Sequence, residues 1–182
     1  FTRDLDFTPR DFERVRDLIY RRAGIVMADN KLEMVYSRLA KRLRLHGMNR
    51  FSDYLDRLER RSDSKEWEAF TNALTTNLTA FFREAHHFPA LAEEIRRRGP
   101  GIKIWRAGAS TGEEPYSLAM TVKETLGAAA SQVKILATDI DTEALNTARA
   151  GIYPLEVVEK LGESRCRQFF QRGSGARAGK AR

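Results

Sequence analysis

Along residues 1–75 apolar side chains recur at helical spacing in four separate runs. The first holds Phe12, Val15, Ile19 and Ala23. Ahead of it, Thr8-Pro9-Arg10-Asp11 reads as an N-cap, a proline at the first helical position and an acid in the first turn; Gly24 suits the stop. The second spans about Asn30 to His46, with Leu32, Val35, Leu39 and Leu43 as its buried stripe and Gly47 at its end. Ser52 opens a third run with Tyr54, Leu55 and Leu58, and Ser64 a fourth with Trp67, Phe70 and Leu74. The pattern predicts a small all-α domain over residues 1–75.

The period then changes. Residues 76–100 read as a polar linker and a helix, about Phe88 to Arg98, stopped by Gly99-Pro100. Residues 102–107 alternate as a strand, residues 108–114 form a tight loop, and a helix runs from Pro115 to Leu126. A second strand covers 133–138 and ends at Asp139; Asp141 caps a helix that closes at Ala150-Gly151. Strand, loop, helix, strand, acid, helix is the first part of a doubly wound, Rossmann-like α/β domain over residues 101–182. The Gly-, Ala- and Arg-rich stretch from Arg172 to Arg182 reads as a loop or frayed end.

Composition narrows the function classes. The 182 residues are 42% hydrophobic and include ten Phe, enough for real cores. No apolar run approaches the roughly 18 residues a membrane span needs, and Phe1-Thr2-Arg3-Asp4 lacks a leader layout. With a single cysteine, Cys166, a cytoplasmic protein without a disulfide framework is expected. His46, His86 and His87 offer no ligand spacing, so no metal is expected. The net charge of +7 is concentrated at the two ends of the chain, while residues 63–162 are mildly acidic. Basic surface attracts nucleic acid, anionic lipid or an acidic protein partner alike.

Four groups of residues carry candidate chemistry. Gly108 to Pro115, between strand and helix, supplies glycines for a sharp turn and N–H groups for an anionic ligand, although a plain turn explains it equally well. Asp139, at the end of the next strand, can accept both hydroxyls of a ribose; a solvated acid or a helix cap is the competing reading. Asn77, Thr79 and Arg83 punctuate Leu78, Phe81 and Phe82; spacing alone fits helix caps and a surface pair of Arg83 with Glu84. On the second helix Arg38, Lys41, Arg42 and Arg44 follow one another without an acid, and the first three share a face, as a merely solvated helix would also have. Aromatics do not interleave with these charges, so nucleic acid is a minor reading.

Three long segments carry a resemblance. They are Thr76 to Glu84 (TNLTAFFRE), Ala109 to Met120 (ASTGEEPYSLAM), and Ala137 to Thr142 followed by Ala148 to Tyr153. In this order they resemble the CheR-type chemotaxis receptor methyltransferases, and the helical part matches in layout, including Gly24-Ile25-Val26 and Tyr36-Ser37-Arg38-Leu39. The resemblance covers essentially the whole chain. It implies an all-α receptor-recognition domain followed by a Rossmann-like S-adenosylmethionine-dependent methyltransferase domain. Such a domain continues beyond the β-subdomain at whose start this chain stops, so the chain is read as truncated and is expected to bind cofactor weakly and not to turn over.

The activity implied is methyl-ester formation on glutamate side chains of the cytoplasmic helical bundle of methyl-accepting chemotaxis receptors, with S-adenosylhomocysteine as product. The implied cofactor contacts are Asn77, Thr79, Arg83, Glu113 and Asp139, with Gly108 and Gly112 in the loop. Arg83 is also the implied catalytic arginine, orienting the substrate carboxylate. Arg38, Lys41, Arg42 and Arg44 become the receptor-binding helix, and a monomer that neither binds nucleic acid nor inserts into a membrane is expected. A non-catalytic receptor- or adaptor-binding module on a remnant methyltransferase fold is the alternative.

Overall fold

A computed structural model describes residues 4–61 and 63–182. The leader reading of Phe1 to Arg3 lies outside the described residues. The chain divides into two compact units, Phe1–Thr76 and Asn77–Arg182.

In the first unit α1 is Pro9–Ala23, α2 Leu32–Leu45, α3 Phe51–Arg60 and α4 Ser64–Leu74. A reciprocal cap starts α1: the Asp11 N–H donates to Thr8 Oγ1 at 3.2 Å and the Thr8 N–H donates to Asp11 Oδ2 at 2.9 Å. Gly24 ends it at φ 68°, a conformation that favours glycine. Two expected starts differ. A 3₁₀ turn, Asp29–Lys31, precedes α2. Ser52 caps nothing, since α3 begins at Phe51. For α4 the cap is Asp63, whose carboxylate accepts the Lys65 and Glu66 N–H groups. The predicted stripes meet in one core, where Val15, Ile19, Val35, Leu39, Leu43, Phe51, Tyr54, Leu55 and Phe70 are fully enclosed.

A polar cluster sits at the edge of this core. Glu66 is buried, and Arg42 grips its carboxylate with Nε at 3.1 Å and Nη2 at 2.5 Å. The Tyr54 hydroxyl donates to Glu66 Oε1 and His46 Nε2 lies 2.8 Å from Oε2. Burial pushes the Glu66 carboxyl up, but Arg42, then Tyr54 and His46, outweigh it and hold the group at about 2. Burial, and then Glu66 itself, push the Tyr54 phenol up, so it stays a donor.

In the second unit α5 is His87–Arg98, β1 Lys103–Ala107, α6 Glu113–Leu126, β2 Lys134–Thr138 and α7 Thr142–Ala150. Strands β1 and β2 pair in parallel, Lys103 opposite Lys134 through Ala107 opposite Thr138, with α6 as the crossover. Ile104 and Ile135 are half-buried on one face; Trp105 and Leu136 are exposed on the other. After α7 come β3 (Tyr153–Pro154), α8 (Leu155–Glu159), α9 (Glu163–Phe169) and β4 (Lys180–Ala181).

The expectation of a loose or frayed tail is corrected here. Strand β4 pairs antiparallel with β3, Tyr153 opposite Ala181 and Pro154 opposite Lys180. Gln171 and Arg182 exchange both backbone bonds, and Ala181 is buried. Tyr153, Val158 and Ala181 gather Phe81, Leu155, Cys166 and Phe170 into a second core. Main-chain pairing orders this tail, and its Gly- and Ala-rich composition gives no periodic signal for it.

The Glu66 cluster yields a stability prediction. A carboxyl held at about 2 when folded stabilises above the unfolded carboxyl value, and the contribution fades as pH falls from about 5 toward 2. Glu66→Gln leaves Arg42 without its partner and lowers stability at neutral pH by ~3 kcal/mol. The same substitution flattens the acid limb, as chemical denaturation across that pH range will show.

Candidate functional site

Three segments far apart in the sequence meet at the ends of β1 and β2. The loop after β1 opens with Gly108 at φ 74° and continues the ladder, the Ala109 N–H donating to Thr138 O at 2.8 Å. Ser110 follows at φ 50°. What holds it there is Asp139: Oδ2 accepts the Ser110 N–H at 2.7 Å and Oδ1 accepts the Asp141 N–H at 2.9 Å. Asp141 in turn caps α7, accepting the Ala144 N–H, and takes the Asn77 Nδ2 amide at 2.6 Å. The Asn77 side-chain oxygen accepts from the Ser110 hydroxyl at 2.9 Å, which closes the ring of contacts. Asn77, the loop and Asp139 are therefore brought together. The sequence alone does not mark Ser110 as a site residue, and for Asp141 it shows only the helix-cap signal.

Arg83 is presented by a strained turn. Among the described residues three non-glycines lie in the left-handed region, Phe82 at φ 51°, Glu84 at φ 54° and Ser110. Two of them flank Arg83. The Phe82 N–H donates to the hydroxyl of buried Ser117, at 2.9 Å, and Arg83 Nη1 donates to Leu78 O at 2.7 Å. The guanidinium is exposed and makes no ion pair among the described residues, so the simple pairing with Glu84 is not formed; Glu84 lies beside His86 instead. Thr79 is half-buried in the same segment. Glu113 opens α6 and accepts from the Thr111 hydroxyl at 2.6 Å.

The two loop glycines do different work. A Cβ on Gly108 would meet only the far end of Arg106, at 3.6 Å, so that side of the loop is open to a ligand. A Cβ on Gly112, at φ 100°, would lie 2.7 Å from the Tyr153 hydroxyl and 2.8 Å from Ala148 Cβ. Gly112 is thus a packing glycine, with no room for a Cβ beside Tyr153 and Ala148. Tyr153 reinforces this, donating its hydroxyl to Thr111 O at 2.7 Å. Burial, then Glu113 and Tyr116, push its phenol up and keep that donor protonated.

An apolar groove of about 300 Å³ is lined by Ala109, Gly112, Ala119, Ile135, Leu145, Ala148 and Arg149 among others. None of Asn77, Thr79, Arg83, Glu113 or Asp139 lines it. The polar junction, not the groove, carries hydrogen-bonding chemistry. Its donor set fits a nucleoside joined to an amino acid: Asp139 keeps free lone pairs for hydroxyls, and Gly108 leaves room for close approach.

On α2 the four basic residues separate. Arg42 is held by Glu66, Arg38 Nη1 donates to Thr75 O at 2.5 Å, and Arg44 pairs with Asp4 at 3.0 Å. Lys41 is exposed.

The glycine geometry predicts unequal substitutions. Gly108→Ala costs about 1–2 kcal/mol, the left-handed backbone alone. Gly112→Ala adds the collisions with Tyr153 and Ala148 and costs more, ~3 kcal/mol or above. Urea unfolding of the two variants side by side measures the difference.

Residues 10–75 match the family model described as CheR methyltransferase, all-alpha domain, and residues 77–179 match that described as CheR methyltransferase, SAM binding domain. Proteins named chemotaxis protein methyltransferase from Escherichia coli and Salmonella typhimurium are each 52% identical over 181 residues, 100% of this chain and 63% of theirs. Chemotaxis protein methyltransferase 2 of Pseudomonas aeruginosa is 50% identical over 182 residues, covering 98% of this chain and 64% of its own length. The chain thus spans less than two thirds of the length of these curated relatives. With both of its domains matched in order, the chain belongs to the CheR methyltransferase family.

Proposed function

We propose that this chain binds S-adenosylmethionine at the junction of Asn77, Ser110 and Asp139 and serves to methylate glutamate side chains of chemotaxis receptors. The observation that supports it most is the convergence of the three segments, with Arg83 exposed on the turn in the first of them. When bound, S-adenosylmethionine supplies an activated methyl group on a sulfonium.

The residues present suit that chemistry. A glutamate carboxylate, with an ordinary pKa of about 4.3, is already ionised at neutral pH and needs no base to become a nucleophile. What the protein contributes is alignment and exclusion of water. Asp139 and Glu113 accept hydrogen bonds from the cofactor's hydroxyl and amino groups, and Asn77 and Thr79 complete the polar wall. Arg83 orients the incoming carboxylate through a charged, two-pronged hydrogen bond. Its exposure leaves the guanidinium hydrated, so it steers the nucleophile without neutralising it.

Receptor recognition falls on the basic face of α2. Arg42 belongs to the Glu66 cluster and is part of the fold, so the recognition charges are Lys41 and Arg44, with Arg38 fixed at Thr75 beside them. The partner is an acidic helical surface, which these cations attract over the length set by salt screening.

Three outcomes are expected. Transfer of a labelled methyl group from S-adenosylmethionine to a receptor fragment, released as methanol by base, tests the activity in a polypeptide of the relatives' length that carries this chain. In it Arg83→Ala lowers transfer strongly without lowering the thermal midpoint; equal losses of both would contradict the role. Asp139→Ala weakens S-adenosylhomocysteine binding by about 1–3 kcal/mol in calorimetry, and an unchanged affinity removes Asp139 from the site. Lys41→Glu with Arg44→Glu weakens receptor association and flattens its salt dependence while leaving cofactor affinity alone.

A further inference from the structure

We propose that Arg165, on α9, is a positioning residue for Arg83 and acts through the ring of Phe82. This rests on the assignment of Arg83 to the cofactor site and asks what holds that arginine in place.

The Arg165 guanidinium carbon lies 3.9 Å from the centroid of the Phe82 ring. That is close contact for a cation over an aromatic face. The guanidinium is itself anchored: Nε donates to Glu124 Oε1 at 2.7 Å and Nη2 to Oε2 at 3.0 Å, a two-pronged pair with α6. Both side chains are about two thirds covered, so the pair is not freely solvated. Phe88 also packs against the ring, at 4.7 Å between centroids. Phe82 is thus held on its backbone by Ser117 and on its ring by Arg165 and Phe88.

Such restraint is needed because the turn opposes its own backbone preference. Phe82 and Glu84 both sit at positive φ, where a non-glycine residue stays only if its surroundings fix it. Return of Phe82 to negative φ would swing the next residue, Arg83, away from Leu78 O and from the junction. Arginine suits the clamp and lysine does not. A planar guanidinium can lie on a ring and still present two parallel N–H groups to a carboxylate; an ammonium can do one or the other. Arg165 is 82 positions from Arg83 in the chain, so α9 contributes to the site without touching a ligand.

The test uses the 182-residue chain with Arg165→Lys, Phe82→Leu and both together. The local readout is the rate of trypsin cleavage after Arg83, with cleavage after Arg22 in α1 as the internal reference. The clamp predicts that Arg165→Lys speeds cleavage after Arg83 by roughly three- to tenfold, leaves Arg22 unchanged, and adds nothing once Phe82 is Leu. Unchanged cleavage after Arg83, or equal acceleration at both sites, overturns the proposal. Affinity for S-adenosylhomocysteine, measured on the same variants, separates the two readings. A parallel loss supports both, whereas faster cleavage with undiminished affinity keeps the clamp and contradicts the cofactor role of Arg83.

Discussion

The second unit depends on one small set of hydrogen bonds, those of the Asp139 and Asp141 carboxylates. Asp139 pins the Ser110 and Asp141 N–H groups, and Asp141 pins the start of α7 and the Asn77 amide. Each bond is a charged acceptor meeting an N–H donor, three of them backbone groups at a strand end or helix start and one the Asn77 amide, the class that contributes most per bond. Without them the β1 loop has no reason to hold Ser110 at positive φ, and the Asn77 segment has nothing to join it to β2. Asp139 is half-buried and keeps acceptor capacity for a ligand, whereas Asp141 is enclosed and serves the fold. Building the fold and building the site are one problem here.

The first unit is organised by the opposite means. Its core is apolar and continuous; of its two buried carboxylates among the described residues, Asp11 closes the cap of α1 and Glu66 is matched by Arg42, Tyr54 and His46. A matched buried charge contributes specificity of arrangement more than net stability. It also sorts the basic helix: Arg42 is tied to a buried carboxylate and serves the fold, whereas Arg44 meets Asp4 in an exposed pair and Lys41 is exposed.

The sequence makes some of this legible and hides the rest for physical reasons. Helical stripes such as Val15–Ile19 and Val35–Leu39–Leu43 are visible because burial imposes a period; these residues are enclosed, while Ala23, Leu32 and Trp67 at the stripe ends are half-buried. Parallel strands ending in a glycine loop and an acid are visible because phosphate- and ribose-binding folds share that order. The separation of Gly108 from Gly112 is not, since both are glycines at a turn, and only Tyr153 and Ala148, more than thirty residues on, make one of them a packing residue. Arg42 and Arg44 look alike in a run of charges; the carboxylate that separates them lies on another helix. The pairing of β4 with β3 rests on main-chain bonds between residues 153–154 and 180–181, which leave no side-chain pattern to read. Long-range contact is what the local pattern omits in each case.

The central claim is that the polar junction, rather than the apolar groove, receives the cofactor. Amide chemical-shift mapping of this chain titrated with S-adenosylhomocysteine tests it most directly, and it registers weak binding as well as strong. The account predicts shifts at Asn77, Thr79, Gly108, Ser110, Glu113 and Asp139, with Ala119, Leu145 and Arg149 of the groove unmoved. Shifts gathered along Ala119, Leu145 and Arg149, with Asn77 and Asp139 unmoved, would contradict it.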